Sequence, residues 1–389
     1  MSEFIPHFNQ QLGKITPSPI RQFDEDCTSI EGIIKLTLGE PDFNTPEHVK
    51  NAGIKAIQED FSHYTINSGL IELREAVRDF FQKKYRVSYD PQGEILVTVG
   101  ATEAYSASLL AILNPGDKVL IPTPAFPGYG PVITLAGAET IEIDTSNNGF
   151  VLSPDMIEAA MAEHGDQVKA IILNYPSNPT GVTYTRQEVI AIADSLRNHN
   201  IFVLSDEIYS ELSYDDHHVS IGEFLPEQTI LISGLSKSHA MTGWRIGFVL
   251  TRTAIAREIA KTHQFLVTAA TTVAQKAAVN ALTVGIDDGL VMKEAYRERR
   301  DFVFKEMTDL GFEIAKPSGA FYIFAKIPAG FPQDSLMFCQ ELANQHRVAI
   351  VPGSAFGVAG QGYVRISYAA DMDKLVEAMK RLKAYIQSK

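Results

Sequence analysis

Between residues 94 and 250 the sequence repeats one pattern, a short unbroken apolar run followed by a longer amphipathic stretch. The runs are EILVTV (94–99), KVLIP (118–122), KAIIL (169–173), IFVLS (201–205), TILIS (229–233) and RIGFVL (245–250). A run that does not alternate with polar residues has no face to offer water, so each reads as a strand buried on both sides. Strands of this kind joined by helical segments build an α/β domain, a mostly parallel sheet with helices on both faces. After about residue 290 the rhythm changes. A charged helix (MKEAYRERRDFVFKEM) leads into FYIFAKI (321–327), VAIVPG (348–353) and YVRISYA (363–369), and a helix from about Asp371 closes the chain. That is a smaller α+β unit, and the strand and turn in IIKLTLGEPDF (33–43) can return to pack on it. At 389 residues the chain exceeds what one core usually supports. The expected division is an N-terminal arm with part of the small domain over 1–45, a large domain over 46–290 and a small C-terminal domain over 291–389.

Charge and cysteine usage narrow the function classes. With a net charge of −13, the chain lacks the basic surface that nucleic acid or an anionic membrane requires, so neither is an expected partner. Cys27 and Cys339 lie far apart and form no CxxC pair, which suits a reducing compartment and makes the cytoplasm the expected location. No stretch approaches 18 uninterrupted apolar residues, so no membrane segment is expected. No GxGxxG follows a strand, and there is no P-loop. His217 and His218, beside Asp215 and Asp216, read as a solvated turn, and no metal is expected.

In open parallel sheets, ligands bind beyond the carboxyl ends of the strands, so the residues after each run are the place to look. Gly100-Ala101-Thr102 opens a helix, whose free N–H groups and positive dipole end suit a phosphate. Asp206 stands at the end of another strand, where a lone carboxylate is costly to desolvate and seeks a cation. Lys237 follows a third, and a desolvated lysine near other cations loses its charge and becomes a Schiff-base amine. Arg245, eight residues on, supplies such a cation and a second phosphate ligand. Taken singly, each has a plainer reading: a cap, a solvated acid, a surface lysine. Together they describe a site for pyridoxal 5′-phosphate. Arg365, inside an apolar strand, needs a carboxylate partner, and the residues alone divide evenly between a substrate and a structural ion pair.

The stretch GLSKSHAMTGWRIG (234–247) resembles the cofactor-attachment signature of class I/II pyridoxal-phosphate-dependent aminotransferases. LGEPDF (38–43), YTINSGLIELREA (64–76), NPTG (178–181), SDEIY (205–209) and PSGAFY (317–322) resemble further blocks of that family, in family order and over nearly the whole chain. Within the family the likeness is to the aromatic amino acid and N-acetyl-LL-2,6-diaminopimelate aminotransferases of Gram-positive bacteria. The resemblance implies fold type I, with a mostly parallel seven-stranded sheet in a large domain and a smaller α+β domain. It also implies a homodimer with shared sites and a ping-pong exchange between an L-amino acid and 2-oxoglutarate.

Roles follow by resemblance. Lys237 matches the lysine that holds the cofactor and moves the substrate proton, and Asp206 the carboxylate that pairs with the pyridinium. Asn178 and Tyr209 match donors to the ring oxygen, and Phe126 an aromatic residue that stacks on the ring. Ala101, Thr102 and Arg245 match phosphate ligands, and Tyr64 a tyrosine that reaches the neighbouring subunit's phosphate. Gly39, Asn178 and Arg365 match groups around the substrate. Where many members carry a phosphate-binding serine this chain has Gly234, for which Ser236 or Ser233 can compensate. No arginine for an acidic substrate side chain is visible, so an aromatic donor leads, ahead of N-acetyl-LL-2,6-diaminopimelate. A C–S β-lyase shares fold, lysine and cofactor. A cofactor-binding regulatory module would need a DNA-binding domain for which the family match leaves no room.

Overall fold

Each apolar run between 94 and 250 forms a strand of a single seven-stranded sheet. The computed structural model describes residues 7–388, so the first six residues of the expected N-terminal arm lie outside it. In spatial order the strands are Ile95–Thr98, Gly247–Leu250, Thr229–Gly234, Phe202–Asp206, Val168–Asn174, Lys118–Thr123 and Glu139–Asp144. All neighbours pair in parallel except Gly247–Leu250, which runs antiparallel to both of its partners. The absence of alternation explains the layering. Leu120, Ile171 and Val203 pack on one face against the helices Pro154–His164 and Arg186–Leu196. Val119, Ile172, Leu204 and Ile230 pack on the other against Gly100–Ile112 and Thr253–Val267. The edge strand Glu139–Asp144 buries only Ile143, and its polar alternation hid it among the apolar runs.

The C-terminal segment folds around a four-stranded antiparallel sheet in the order Val351–Pro352, Tyr363–Ser367, Tyr322–Lys326 and Glu313–Ile314. The run 348–353 is two strands, not one. Val348–Ala349 pairs in parallel with Ile34–Lys35, and after Ile350 the chain crosses to the four-stranded sheet. The segment 33–43 therefore does return to the C-terminal unit. So does the helix Pro19–Thr28, which starts with Ser18 as its cap and proline in its first turn. Its Phe23 and Cys27 join the core of Ile323, Phe338 and Leu375, and Asp24 accepts a bond from Lys35 at 3.0 Å. The leading end of this helix, with residues 14–18 before it, reaches the cavity described below.

The turn at 215–218 differs from its solvated reading. Asp215 pairs with Arg300 and Lys316. His218 is buried and meets the Glu207 carboxylate at 2.7 Å, with Ser205 and Ser220 donating to the same acid. Glu207 follows Asp206 in sequence, and this buried acid recruits His218 from the turn. Among the described residues, no helix is long and apolar enough to cross a membrane.

Candidate active site

A cavity of about 960 Å³ opens at the carboxyl ends of the parallel strands, where the large sheet meets the C-terminal strands. Asp206 ends the central strand Phe202–Asp206, and Lys237 lies three residues beyond the end of its neighbour Thr229–Gly234, so adjacent strands deliver acid and amine to the same space. Asp206 is buried. Its Oδ2 accepts from the Tyr129 hydroxyl at 2.7 Å and its Oδ1 from the Ile208 N–H at 3.2 Å. Burial pushes its pKa up to about 6, against the lowering effect of those two donors. Lys237 donates from Nζ to the Gly39 carbonyl. Burial first, and the nearby Arg245 and Arg365 charges after it, pull the Lys237 pKa down to about 8, while Glu40 acts in the opposite sense. An amine and a carboxylic acid are thus both poised near neutrality within one cavity.

At one end of the cavity begins the helix Gly100–Ile112. Its N-cap is Val99, which has no side-chain acceptor, so the first-turn N–H groups at Ala101 and Thr102 are left for a ligand. Arg245 lies against this helix start, held by the Thr242 carbonyl at 3.0 Å and the Val99 carbonyl at 3.5 Å. A Cβ at Gly100 would stand 2.3 Å from the Arg245 guanidinium, and its φ of +74° suits only glycine, so the close approach depends on that residue. Arg245 itself sits at φ 54°, a left-handed conformation that costs about 1–2 kcal/mol and aims the side chain back across the turn. Gly234 has a packing reason: a Cβ there would lie 2.7 Å from the Ile246 carbonyl. Ser236 lines the cavity, whereas Ser233 is buried in its strand.

A second anion site, suited to a carboxylate, is built around Arg365. Its guanidinium lies between the rings of Tyr322 and Phe356, at 4.5 and 4.8 Å. It donates to Asn178 Oδ1 at 2.8 Å and to the Thr37 carbonyl, and its buried Nε has no partner. Among the described residues no carboxylate pairs with it, which argues against the structural ion pair left open by the sequence. Gly39 lines the same region, and a Cβ there would fall 1.7 Å from the Tyr322 hydroxyl. Tyr209 shares a 2.8 Å hydrogen bond with that hydroxyl. Phe126 completes the wall, its ring edge-on to Tyr129 at 5.5 Å.

Of the other sequence candidates Tyr64 too lies outside the cavity, at 87% exposure. Conversely, Tyr105, Tyr129, Tyr322, Glu40, Lys14 and Arg21 line it without having been singled out. Tyr129 opens the helix Tyr129–Leu135 while Phe126 lies in the loop before it, so no helical periodicity joins the two in the sequence. Glu40 and Tyr322 fall inside recognised blocks, and Lys14 and Arg21 in no block at all. The donor set fits pyridoxal 5′-phosphate: uncapped N–H groups and Arg245 for a phosphate, Lys237 for an aldehyde, and a buried acid lacking a cation for the ring nitrogen.

The chain is similar to known proteins over nearly its full length. Residues 31–382 match the family described as aminotransferase class I and II. A probable N-acetyl-LL-diaminopimelate aminotransferase from Bacillus subtilis is 47% identical over 98% of this chain and 96% of its own. An aromatic-amino-acid aminotransferase from Thermococcus litoralis is 38% identical over 98% of each. The structure of an aspartate aminotransferase from Thermus thermophilus with maleate superposes with a TM-score of 0.91 at 33% identity, covering 98% of this chain and 100% of that one.

Proposed function

The chain belongs to the class I and II aminotransferases, and on that premise we propose that it moves the amino group of an L-amino acid to 2-oxoglutarate in two successive half-reactions. The family's pyridoxal 5′-phosphate supplies, when bound, an aldehyde that captures the amino group and a ring that takes up the electron pair left when the α-hydrogen departs as a proton. The observation that carries the reading is the convergence of Lys237 and Asp206 in one cavity, with Arg245 and Arg365 flanking them. Lys237 Nζ, lowered to about 8, is the group able to take the proton from the substrate's α-carbon and return it. Asp206, held by Tyr129, would face the cofactor's ring nitrogen and favour positive charge there. Arg365, with its partnerless Nε, receives the α-carboxylate, and Asn178 fixes the guanidinium's orientation.

A homodimer with shared sites is part of this proposal. Tyr64, Ile66, Phe265 and Leu266 are all exposed, and the segments bearing them are tied by the bond from Asn67 to the Thr268 carbonyl. Such an apolar surface favours a second copy, and Tyr64 is the residue we assign to the partner's phosphate. The two buried free cysteines favour the cytoplasm.

For the donor we propose an aromatic amino acid, on the strength of the apolar lining from Phe126, Tyr105, Ile15, Ile20 and Leu38. The name of the Bacillus subtilis relative favours a second reading, N-acetyl-LL-2,6-diaminopimelate. The test is a set of single-turnover half-reactions, following the cofactor's absorbance with phenylalanine, tyrosine, glutamate, aspartate and N-acetyl-LL-2,6-diaminopimelate. The aromatic donors are expected to lead. A lead of about 100-fold for the acylated diaminopimelate, roughly 2.7 kcal/mol of transition-state binding, would replace the donor assignment. Release of pyruvate and ammonia from cystathionine, with no conversion by any of the five, would replace transamination with β-elimination.

A further inference from the structure

Glu103, the fourth residue of the helix Gly100–Ile112, is buried behind the cavity wall rather than lining it. Its Oε2 accepts the Val99 N–H at 3.0 Å, and its Oε1 meets Nδ1 of His263 at 3.0 Å. His263 belongs to the neighbouring helix Thr253–Val267 and is buried as well. We propose that His263 is a positioning residue for the cofactor's phosphate: it holds and neutralises Glu103, so that Ala101, Thr102 and Arg245 meet a dianion with no unpaired negative charge beside them. The inference rests on the reading of this helix start as the phosphate site, and it gives a residue outside the cavity control of the charge balance there.

A carboxylate at a helix start is favoured by the helix dipole, and for the same reason it competes with any anion brought to that end. Val99 shows how closely the two are joined, since its N–H goes to Glu103 while its carbonyl accepts from Arg245 at 3.5 Å. Among the described residues, His263 is the cationic side chain paired with Glu103. Its Nε2 meets the Asn67 carbonyl at 2.9 Å, so both ring nitrogens face oxygen acceptors. An imidazole donates to two acceptors only as the imidazolium. Burial lowers the pKa of the ring, but the bond and charge of Glu103, with the Asn67 carbonyl, outweigh it and leave the value raised. Packing does not account for the pair. Ala104, Ala107 and Ile259 of the same two helices already share one apolar core, and a buried ion pair adds little that apolar side chains of its size would not.

The test compares two ligands of the full chain, pyridoxal 5′-phosphate and pyridoxal, which differ by the phosphate alone. Their dissociation constants are read by equilibrium dialysis, without turnover. The wild type is expected to prefer the phosphorylated form by at least about a hundredfold, and Arg245→Gln should cut that preference by roughly 10–100-fold. His263→Gln leaves Glu103 without its counter-charge, and should weaken pyridoxal 5′-phosphate by about tenfold or more while changing pyridoxal by less than about twofold. Adding Glu103→Gln removes that charge and keeps an acceptor for the Val99 N–H, so the double variant should return to within about threefold of the wild-type preference. Glu103→Gln alone should keep the preference too, a measurement that stands even if His263→Gln does not fold. Parallel losses for both ligands in His263→Gln, a double variant no better than the single one, or a lost preference in Glu103→Gln would overturn the role of His263. An Arg245→Gln protein with its preference intact would reject the helix start as the phosphate site, and this role with it. A preference lost in Arg245→Gln but unmoved in His263→Gln would overturn His263 alone and leave the phosphate site standing.

Discussion

Along the sheet wall of the cavity each charged group has a partner. Asp206 takes the Tyr129 hydroxyl and the Ile208 N–H, Lys237 reaches the Gly39 carbonyl, and Arg245 reaches Thr242 and Val99. Along the N-terminal wall, Lys14 and Arg21 are exposed and make no ion pair among the described residues. The first arrangement fixes groups that must meet the same reacting atoms whatever the substrate, and fixing them in advance is what lowers a barrier. The second leaves charge to be satisfied by the ligand, which suits selection among substrates. If the sheet wall carries the proposed chemistry and the N-terminal wall the choice of substrate, substitutions on the two should have different signatures.

The largest separation is expected at Asp206. Asp206→Ala should slow every half-reaction by about a thousandfold or more while the cofactor stays bound, because a ring nitrogen without its counter-charge loses its proton. A rate near that of the wild type would remove Asp206 from the chemistry. The same acid should be a liability to the protein without its cofactor. Its folded pKa, raised to about 6, means that the folded state holds the proton more tightly than the unfolded one. Its contribution to stability is full below the unfolded value, near 4, and is lost as the pH rises through 6. At pH 7, Asp206→Asn should stabilise the apoprotein by about 3 kcal/mol, whereas Arg21→Gln should change it by less than about 0.5 kcal/mol. Thermal melts of the two apoproteins at pH 4 and pH 7 check both the size and the sign.

Arg365→Lys should come next, weakening all substrates together by roughly 30-fold in kcat/KM, since a lysine cannot reproduce the fork. An effect confined to some substrates would instead give the sheet side a part in selection and erase the contrast between the walls. Tyr129→Phe should be mildest, about tenfold. Because the tyrosine's hydrogen bond lowers the Asp206 pKa, its removal should raise it above about 6 in the protein without its cofactor, moving the pH at which the apoprotein loses stability upward. A lower rate with an unmoved stability profile of the apoprotein would show that Tyr129 merely packs.

The sheet wall was legible in the sequence because buried strands are apolar and their ends are therefore easy to find. Asp206, Lys237 and the start of the helix at Gly100 all stand where such a run stops. The N-terminal wall was not, because Arg21 lies on a surface helix whose pattern reports only its packing on the C-terminal core through Phe23 and Cys27. That the start of this helix meets Lys237 in one cavity, although the two lie far apart in sequence, is a property of the tertiary fold. The switch of the 348–353 run between sheets and the recruitment of His218 by Glu207 were hidden for the same reason, since each depends on a partner far along the chain. By contrast, the absence of a serine at 234 became intelligible only once the Ile246 carbonyl was seen to leave no space for a side chain.

Lys237 is the amine on which the proposed chemistry of the cavity turns. Reduction of the holoenzyme with borohydride, followed by proteolysis and mass spectrometry, locates the lysine that carries the pyridoxyl group. The label is expected on the peptide containing SKSHAMTGWR, at Lys237, with none after reduction of Lys237→Ala. A label on any other lysine in the wild-type protein would contradict the account.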